Sequence, residues 1–306
     1  MIVTPYRTGI RSVEQFGPSG LLQFIRFARL SRSLQRSTAP PSLRFRYLVM
    51  QYLFGDTDIA ARRLRFLADV YAESTKEFLV DTIADRPRLA LDLGCGPGYT
   101  THFLADVLGC EKAAGLDNSE QFISLARTTE TDGVSFYLHD ITSVPFPVGP
   151  SDFLYCRFLL THLRDPHAVV LAWAAQLQPG GLLLMEEVEW IRTENEVFTT
   201  YLDLVEAMLE DKSGRLYVGQ TLNSLEDTDI LKRRTSRVKH LPVTNHKAAR
   251  MFSMNIQSWK HQPFIQKSYP SSMIDQLEEE LKALAGKSGG GSEIEWGLRQ
   301  LVFERV

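Results

Sequence analysis

Cysteine is scarce in this chain of 306 residues, and the chain has neither a long apolar run nor a large net charge. Its three cysteines, Cys95, Cys110 and Cys156, are odd in number and form no C-x-x-C pair, which supports neither a disulfide framework nor a metal site. No apolar run reaches the ~20 residues that cross a bilayer, since the run Gly181 to Met185 is followed by two glutamates. We expect a soluble protein of a reducing compartment.

Neither sign of charge predominates, because 34 basic residues nearly balance 37 acidic ones and the net charge is −3. A chain with this balance has no global field that would hold it on nucleic acid or on an anionic membrane. We therefore expect neither nucleic acid nor membrane as a partner. The oligomeric state leaves no signal in the sequence.

The N-terminal arm, residues 1–46, differs in composition from the rest, because eight arginines there face a single acid, Glu14. Such an arginine-rich, acid-poor segment is typical of a mitochondrial transit peptide, but it is more often a solvated extension that packs loosely on its own domain. We favour the extension, and with it a cytoplasmic location. Mitochondrial targeting stays open as the alternative.

Strands and helices alternate in the central part of the chain. Short apolar runs predict strands over residues 89–93, 113–116, 134–138, 153–156 and 182–185, and helical patterns lie over 100–108, from Asn118 or Ser119, and over 166–177. The turn Pro179-Gly180-Gly181 precedes the fifth strand. This alternation predicts an α/β fold with a doubly wound, mostly parallel sheet, whose ligands bind beyond the carboxyl ends of the strands.

Helical segments flank this core on both sides. We interpret residues 47–85 as a helical lid made of a helix from Asp56 and a second stretch, Ser74 to Ile83. Within the domain 86–306, we expect helical cap insertions at 191–233 and 244–292, which enclose a pocket for a small-molecule substrate. A strand around Val238 to Val243, a flexible piece at Lys287 to Ser292 and a closing strand from Ile294 complete the prediction.

A glycine-rich turn, Asp92-Leu93-Gly94-Cys95-Gly96-Pro97-Gly98, joins the first strand to the next helix. Glycine tolerates positive φ and lets a ligand approach the backbone N–H groups. A dinucleotide fingerprint, G-x-G-x-x-G, would need glycine where this chain has Tyr99. A tight turn without a ligand is the other explanation.

The next strand ends in Asp117, where a carboxylate can accept both hydroxyl donors of a ribose. The alternative, a helix N-cap, is better filled by Asn118 or Ser119. A nucleoside ligand therefore fits this position best.

With these motifs in order, residues 85–190 resemble the class I S-adenosylmethionine-dependent methyltransferase family. The resemblance implies a Rossmann-like fold of seven strands ending in an antiparallel hairpin, with S-adenosylmethionine as cofactor. It also implies cofactor contacts in the glycine-rich turn, at the second and third strand ends, and at the end of the fourth strand. The implied cofactor-binding residues are Asp92, Gly94, Cys95, Gly96, Gly98, Asp117, Asn118, His139, Asp140, Ile141 and Arg157.

Several residues near this site keep two interpretations. Arg157 could hold a carboxylate of the cofactor or of the substrate, or pair with an acid on the surface. Tyr52 is either a lid residue on the substrate side or an aromatic residue of the core. We expect His162 to lie on the substrate side or to have a structural role, rather than to act as a base. Cys95 and Cys156 are expected to be small apolar fillers, because no basic neighbour lowers their pKa. The catalytic base stays unassigned.

The function that these expectations favour is methyl transfer to an oxygen, nitrogen or carbon atom of a small molecule, as in secondary metabolism. A catalytically inactive S-adenosylmethionine-binding protein of the same fold is the first alternative, because fold alone does not determine function. An NAD-dependent dehydrogenase is less favoured because of Tyr99.

Overall fold

A computed structural model describes residues 57–286 and 293–306 of the chain. Within them the helices are α1 (Asp58–Thr82), α2 (Tyr99–Leu108), α3 (Glu120–Arg127), α4 (Pro166–Trp173), α5 (Glu196–Asp211), α6 (Val218–Leu222), α7 (Asn245–Trp259), α8 (Pro263–Ser268) and α9 (Ser271–Ala285). The strands are β1 (Leu89–Leu93), β2 (Lys112–Asp117), β3 (Val134–Leu138), β4 (Ser151–Arg157), β5 (Leu177–Arg192), β6 (Leu231–Thr244) and β7 (Glu293–Arg305). The N-terminal arm, Tyr52 and the segment 287–292 lie outside the described residues.

The strands form one sheet in the order β3-β2-β1-β4-β5-β7-β6. The first five are mutually parallel, whereas β7 runs antiparallel to both β5 and β6. Leu93 is level with Leu116 of β2 and Cys156 of β4, and Cys156 is level with Met185 of β5. The predicted doubly wound sheet with a final antiparallel hairpin is confirmed, and its carboxyl ends meet at one edge.

Apolar side chains cover both faces of the central strands. Leu91 and Leu154 pack with Trp173 of α4 on one face, and Phe153 packs with Phe78 of α1 on the other. Burial of each such side chain contributes about 1.5–3 kcal/mol, which is why β1 and β4 read as continuous apolar runs. None of the helices in the described part of the chain has the length and apolar character of a membrane span.

The two helical stretches predicted before β1 are a single helix, α1, of 25 residues. Thr57 caps its start by accepting a hydrogen bond from the N–H of Ala60 at 3.4 Å. Neither glycine nor proline interrupts the helix, so nothing breaks its hydrogen bonds near Ser74. Because this continuous helix carries Phe78 onto the sheet, the segment before β1 is attached to the core.

Three other boundaries differ from the sequence prediction. The helix predicted to end at Leu177 ends at Trp173, followed by a 3₁₀ turn at Ala174–Gln176. The glycine turn before the fifth strand lies inside β5, where the pairing with β4 shifts register. Strand β6 has 14 residues instead of six, because a polar edge strand has no apolar run to mark its length. The short helices α6 and α8 were not predicted.

The connection after β4 is held by a buried carboxyl group from β5. Phe158 adopts a left-handed backbone conformation (φ 54°), and the N–H groups of Leu159 and Leu160 both donate to Glu187 Oε1, at 2.9 and 2.8 Å. Glu187 is fully buried, and its second oxygen has no hydrogen-bond partner among the described residues. Burial raises the pKa of this carboxyl to about 8, although the backbone N–H groups of Leu159, Leu160 and Thr161 act to lower it.

We predict that the folded protein keeps Glu187 protonated at neutral pH while the unfolded chain ionises it. The pKa is higher in the folded state, so this group's contribution to stability is complete below the unfolded pKa and is lost as pH rises toward about 8. Glu187→Gln keeps the backbone acceptor but cannot titrate. Urea unfolding between about pH 5 and pH 8 should therefore show wild type losing stability faster than Glu187→Gln, by up to about 1.4 kcal/mol per pH unit. Parallel curves would show that the carboxyl is ionised in both states.

Candidate functional site

The glycine-rich loop between β1 and α2 is a tight turn whose three glycines all have positive φ. The φ angles are 70° at Gly94, 52° at Gly96 and 86° at Gly98, a region that side chains with a Cβ rarely adopt. The N–H groups of Gly94 and Cys95 both donate to the carbonyl of Leu116, at 2.8 and 3.1 Å. The loop is therefore attached to the end of β2 as well as β1.

The space beside these glycines is occupied to different extents. A Cβ at Gly94 would lie 2.6 Å from the Leu159 side chain, and one at Gly98 would lie 2.5 Å from the ring of Phe136. At Gly96 the nearest atom, Leu64 Cδ1 of α1, would be 3.2 Å away. Two glycines thus make room for core side chains, and Gly96 is the least crowded of the three.

The carboxylate of Asp117, at the end of β2, forms hydrogen bonds with the glycine-rich loop and with the start of α3. Its Oδ2 accepts from the N–H of Gly96 at 2.8 Å, and its Oδ1 accepts from the N–H of Ser119 at 2.9 Å. Ser119 caps α3 by accepting from the N–H of Phe122 at 3.1 Å, so the cap is not formed by Asp117. Each carboxylate oxygen can accept more than one hydrogen bond, which leaves Asp117 able to bind two neighbouring hydroxyls.

The segment after β3 offers one acidic side chain to a ligand. Asp140 Oδ1 accepts from the N–H and the hydroxyl of Thr142, at 2.9 and 2.7 Å, while its Oδ2 receives no hydrogen bond from the described residues. His139 Nε2 donates to the carbonyl of Ser143 at 2.8 Å, and the carbonyl of Ile141 accepts from Trp173 Nε1 at 2.8 Å. His139 and Ile141 thus bond within the protein, whereas the Oδ2 atom of Asp140 can still accept a hydrogen bond from a ligand.

Two residues of the glycine-rich motif have internal partners as well. Asp92 Oδ2 accepts from the hydroxyl of Thr101 at 2.7 Å, and burial raises the pKa of Asp92 to about 7. Burial likewise raises the pKa of the Cys95 and Cys156 thiols well above the usual range. These thiols are therefore protonated, as expected for small apolar residues of the core. Asp92 stabilises the first turn of α2. Asn118 is exposed beside Asp117.

Arg157, at the end of β4, lies between α1 and the start of α2. Its Nη1 donates to Thr75 Oγ1 at 2.9 Å and its Nη2 donates to Thr100 Oγ1 at 3.3 Å. Its guanidinium carbon is 5.8 Å from the centre of the Tyr71 ring. In the described part of the chain no carboxylate lies within 4.0 Å of this guanidinium, so the surface ion pair considered for Arg157 is not formed there. Among the described residues, this half-buried guanidinium thus hydrogen-bonds only to neutral hydroxyls.

A second buried acid lies behind Arg157 and was not found from the sequence. Glu186 Oε2 accepts from the hydroxyls of Thr75 and Tyr155, each at 2.6 Å, and its Oε1 accepts from Gln300 Nε2 at 2.7 Å. The side chain is fully buried. The sequence offers one signal for this buried acid, which is that Glu186 directly follows the apolar run of the fifth predicted strand. Its three partners leave no signal, because all of them are distant in sequence.

His162 lies in the 3₁₀ turn Leu160–His162 after β4. Burial, assisted by the charge of Arg63, lowers the pKa of its imidazole to about 3. The ring is neutral at physiological pH and would be a weak base. The described residues therefore provide no histidine suited to general-base catalysis at this position, and the catalytic base stays unassigned.

Comparisons with known proteins find a methyltransferase domain and several methyltransferases. Residues 91–185 match the family model described as a methyltransferase domain. A protein of the Streptomyces fradiae transposon TN4556 is 34% identical over 123 residues, covering 39% of this chain and 36% of that protein. Trans-aconitate 2-methyltransferase of Delftia acidovorans is 32% identical over 125 residues, covering 40% of this chain and 46% of that enzyme.

Among solved structures, the Haloferax volcanii complex of a methyltransferase with its activator aligns with a TM-score of 0.53. It is 18% identical and covers 84% of this chain and 98% of that one, a likeness that shows the fold alone. The chain spans less than half the length of the curated relatives that it matches. Residues 91–185 therefore carry the methyltransferase domain that the motifs predicted, within a sheet of the order that the resemblance implied.

Proposed function

We propose that this protein transfers a methyl group from S-adenosylmethionine to a small-molecule acceptor. The observation that carries the proposal is the carboxylate of Asp117, which bonds the N–H of Gly96 and stands where the glycine-rich loop meets the end of β2. A carboxylate next to a glycine-rich loop, at the edge where the parallel strands end, is suited to a nucleoside. The family supplies the identity of that nucleoside.

The residues present fit this cofactor at three places. Asp117 would accept the two ribose hydroxyls, and Asp140 Oδ2 would accept from the adenine amino group beside Leu138, whose side chain is 46% exposed. Arg157 would bind the methionine carboxylate, because its guanidinium has no acidic partner among the described residues and Arg is suited to carboxylates.

The cofactor, when bound, supplies a methyl group on a positively charged sulfur, which leaves as a neutral thioether. The protein therefore has to align the two reactants and keep water away, rather than activate a leaving group. Leu64 of α1 and Leu159 after β4 border the loop at Gly96 and Gly94 and would exclude water there. Helix α1 thus acts as the cover that residues 47–85 were expected to provide.

The acceptor is proposed to be a small molecule, because helices α5 to α9 follow β5 and fit a cap over the acceptor side. Relatives named trans-aconitate 2-methyltransferase make small organic acids the first acceptors to test. A role in secondary metabolism belongs to the same proposal.

Calorimetric titration with S-adenosylmethionine, S-adenosylhomocysteine and NAD tests the cofactor assignment. We expect micromolar binding of the first two and none of NAD, because Tyr99 stands where a dinucleotide fingerprint needs glycine. Product formation with an acceptor would then separate an enzyme from an inactive binding protein. Binding of NAD alone would overturn the assignment.

Replacement of Asp117 by asparagine should weaken S-adenosylhomocysteine binding by about ten- to a hundredfold, because an amide offers donors where the ribose also donates. Asp106→Asn, at an exposed acid of α2, is the matched control and should leave binding unchanged. Thermal melting of both variants checks that they are folded. A folded Asp117→Asn protein with wild-type affinity would contradict the ribose assignment.

A further inference from the structure

Six side chains form a continuous line of hydrogen bonds from the protein surface to the cofactor side of the sheet. Its members in order are Asp81, Arg237, Gln300, Glu186, Thr75 and Arg157, and the successive distances are 3.0, 2.7, 2.7, 2.6 and 2.9 Å. The line connects α1 with strands β4, β5, β6 and β7. Its centre, Glu186, is fully buried.

The direction of each hydrogen bond in this line follows from the chemistry of its centre. Glu186 accepts all three of its hydrogen bonds, because the hydroxyls of Thr75 and Tyr155 and the amide of Gln300 donate to it. A threonine hydroxyl has one proton. Because Thr75 gives that proton to Glu186, its oxygen presents only lone pairs to Arg157.

Thr75 Oγ1 is consequently a dedicated acceptor for Arg157 Nη1. If Thr75 were free to rotate its hydroxyl, the proton could point toward the guanidinium and repel it. Thr100 Oγ1 contacts the other terminal nitrogen at 3.3 Å, and the rings of Tyr71 and Phe158 lie 5.8 and 5.9 Å away. The short contact to Thr75 is thus the one that determines the orientation of the guanidinium.

We propose that Glu186 is a positioning residue that, through Thr75, orients Arg157 toward the carboxylate of the bound cofactor. This inference rests on the proposed function, in which Arg157 binds that carboxylate. Glu186 itself touches neither the cofactor nor the acceptor.

A purely structural role for Glu186 would predict a different result. Glu186 also joins Tyr155 of β4 to Gln300 of β7, so its loss weakens the sheet as a whole. General weakening would lower the affinity for every ligand of the site. A positioning role acts only on ligands that carry the carboxylate.

Two probes separate these roles: S-adenosylhomocysteine, which has the amino-acid carboxylate, and 5′-methylthioadenosine, which lacks it. Glu186→Gln and Thr75→Val should each weaken S-adenosylhomocysteine binding by about tenfold while changing 5′-methylthioadenosine binding by less than about twofold. Thr75→Ser, which keeps the hydroxyl, should restore wild-type discrimination between the probes. Arg157→Gln sets the expected limit of the loss.

Tyr155→Phe is the control, because it removes an equally short hydrogen bond to the same oxygen of Glu186 and keeps the contact between Thr75 and Arg157. It should leave the ratio of the two affinities unchanged. In the double variant Glu186→Gln with Thr75→Val, the loss should equal that of Thr75→Val alone, since both act on one contact.

Equal weakening of both probes by Thr75→Val, or additive losses in the double variant, would overturn the positioning role. Thr75→Val keeps the test decisive if Glu186→Gln fails to fold. A wild-type protein that binds neither probe would overturn the proposed function, and an Arg157→Gln protein with unchanged discrimination would overturn the role of Arg157. These outcomes are distinguishable from one another.

Discussion

One buried carboxylate, Glu186, joins the helix before the sheet to the strands on both sides of β5. Three donors, from α1, β4 and β7, hydrogen-bond its two oxygens, and each lies within 2.7 Å. A buried polar group without hydrogen-bond partners destabilises the folded state, so all three elements must keep their places for the folded state to persist. The position of α1 over the sheet, and of Arg157 beneath it, follows from this constraint.

The acids at the strand ends have different tasks, although they look alike in sequence. Asp92 is bonded to α2, Glu187 holds the connection after β4, and Glu189 forms a close ion pair with Arg299. Asp117 bonds the glycine-rich loop at the edge where the parallel strands end, and Asp140 Oδ2 receives no hydrogen bond from the described residues. Burial and hydrogen bonding, rather than residue type, separate the structural acids from the candidate cofactor ligands.

The proposed acceptor side of the site is formed mostly by parts of the chain outside the family match. The aromatic rings of Tyr71 and Phe158 meet at 4.9 Å, and Trp296 of β7 contacts both Tyr71 and Phe252 of α7. These contacts bring the helix before the sheet, the connection after β4 and the later helices together. Phe158 lies inside the family match over residues 91–185, whereas Tyr71, Phe252 and Trp296 lie outside it. The match therefore identifies the cofactor, and the acceptor depends on the proposed cap.

The sequence by itself determined the alternation of strands and helices, the glycine-rich turn and the position of Asp117, because apolar period, glycine conformation and strand-end chemistry are local properties. Only the tertiary structure decided that α1 is one helix, that β6 extends over 14 residues, and that His139 and Ile141 make internal contacts. It also decided the partners of Arg157 and Glu186, which are 82 and 111 residues from Thr75 in sequence. Hydrogen bonds over such separations depend on how the sheet is assembled, and no spacing along the chain records them.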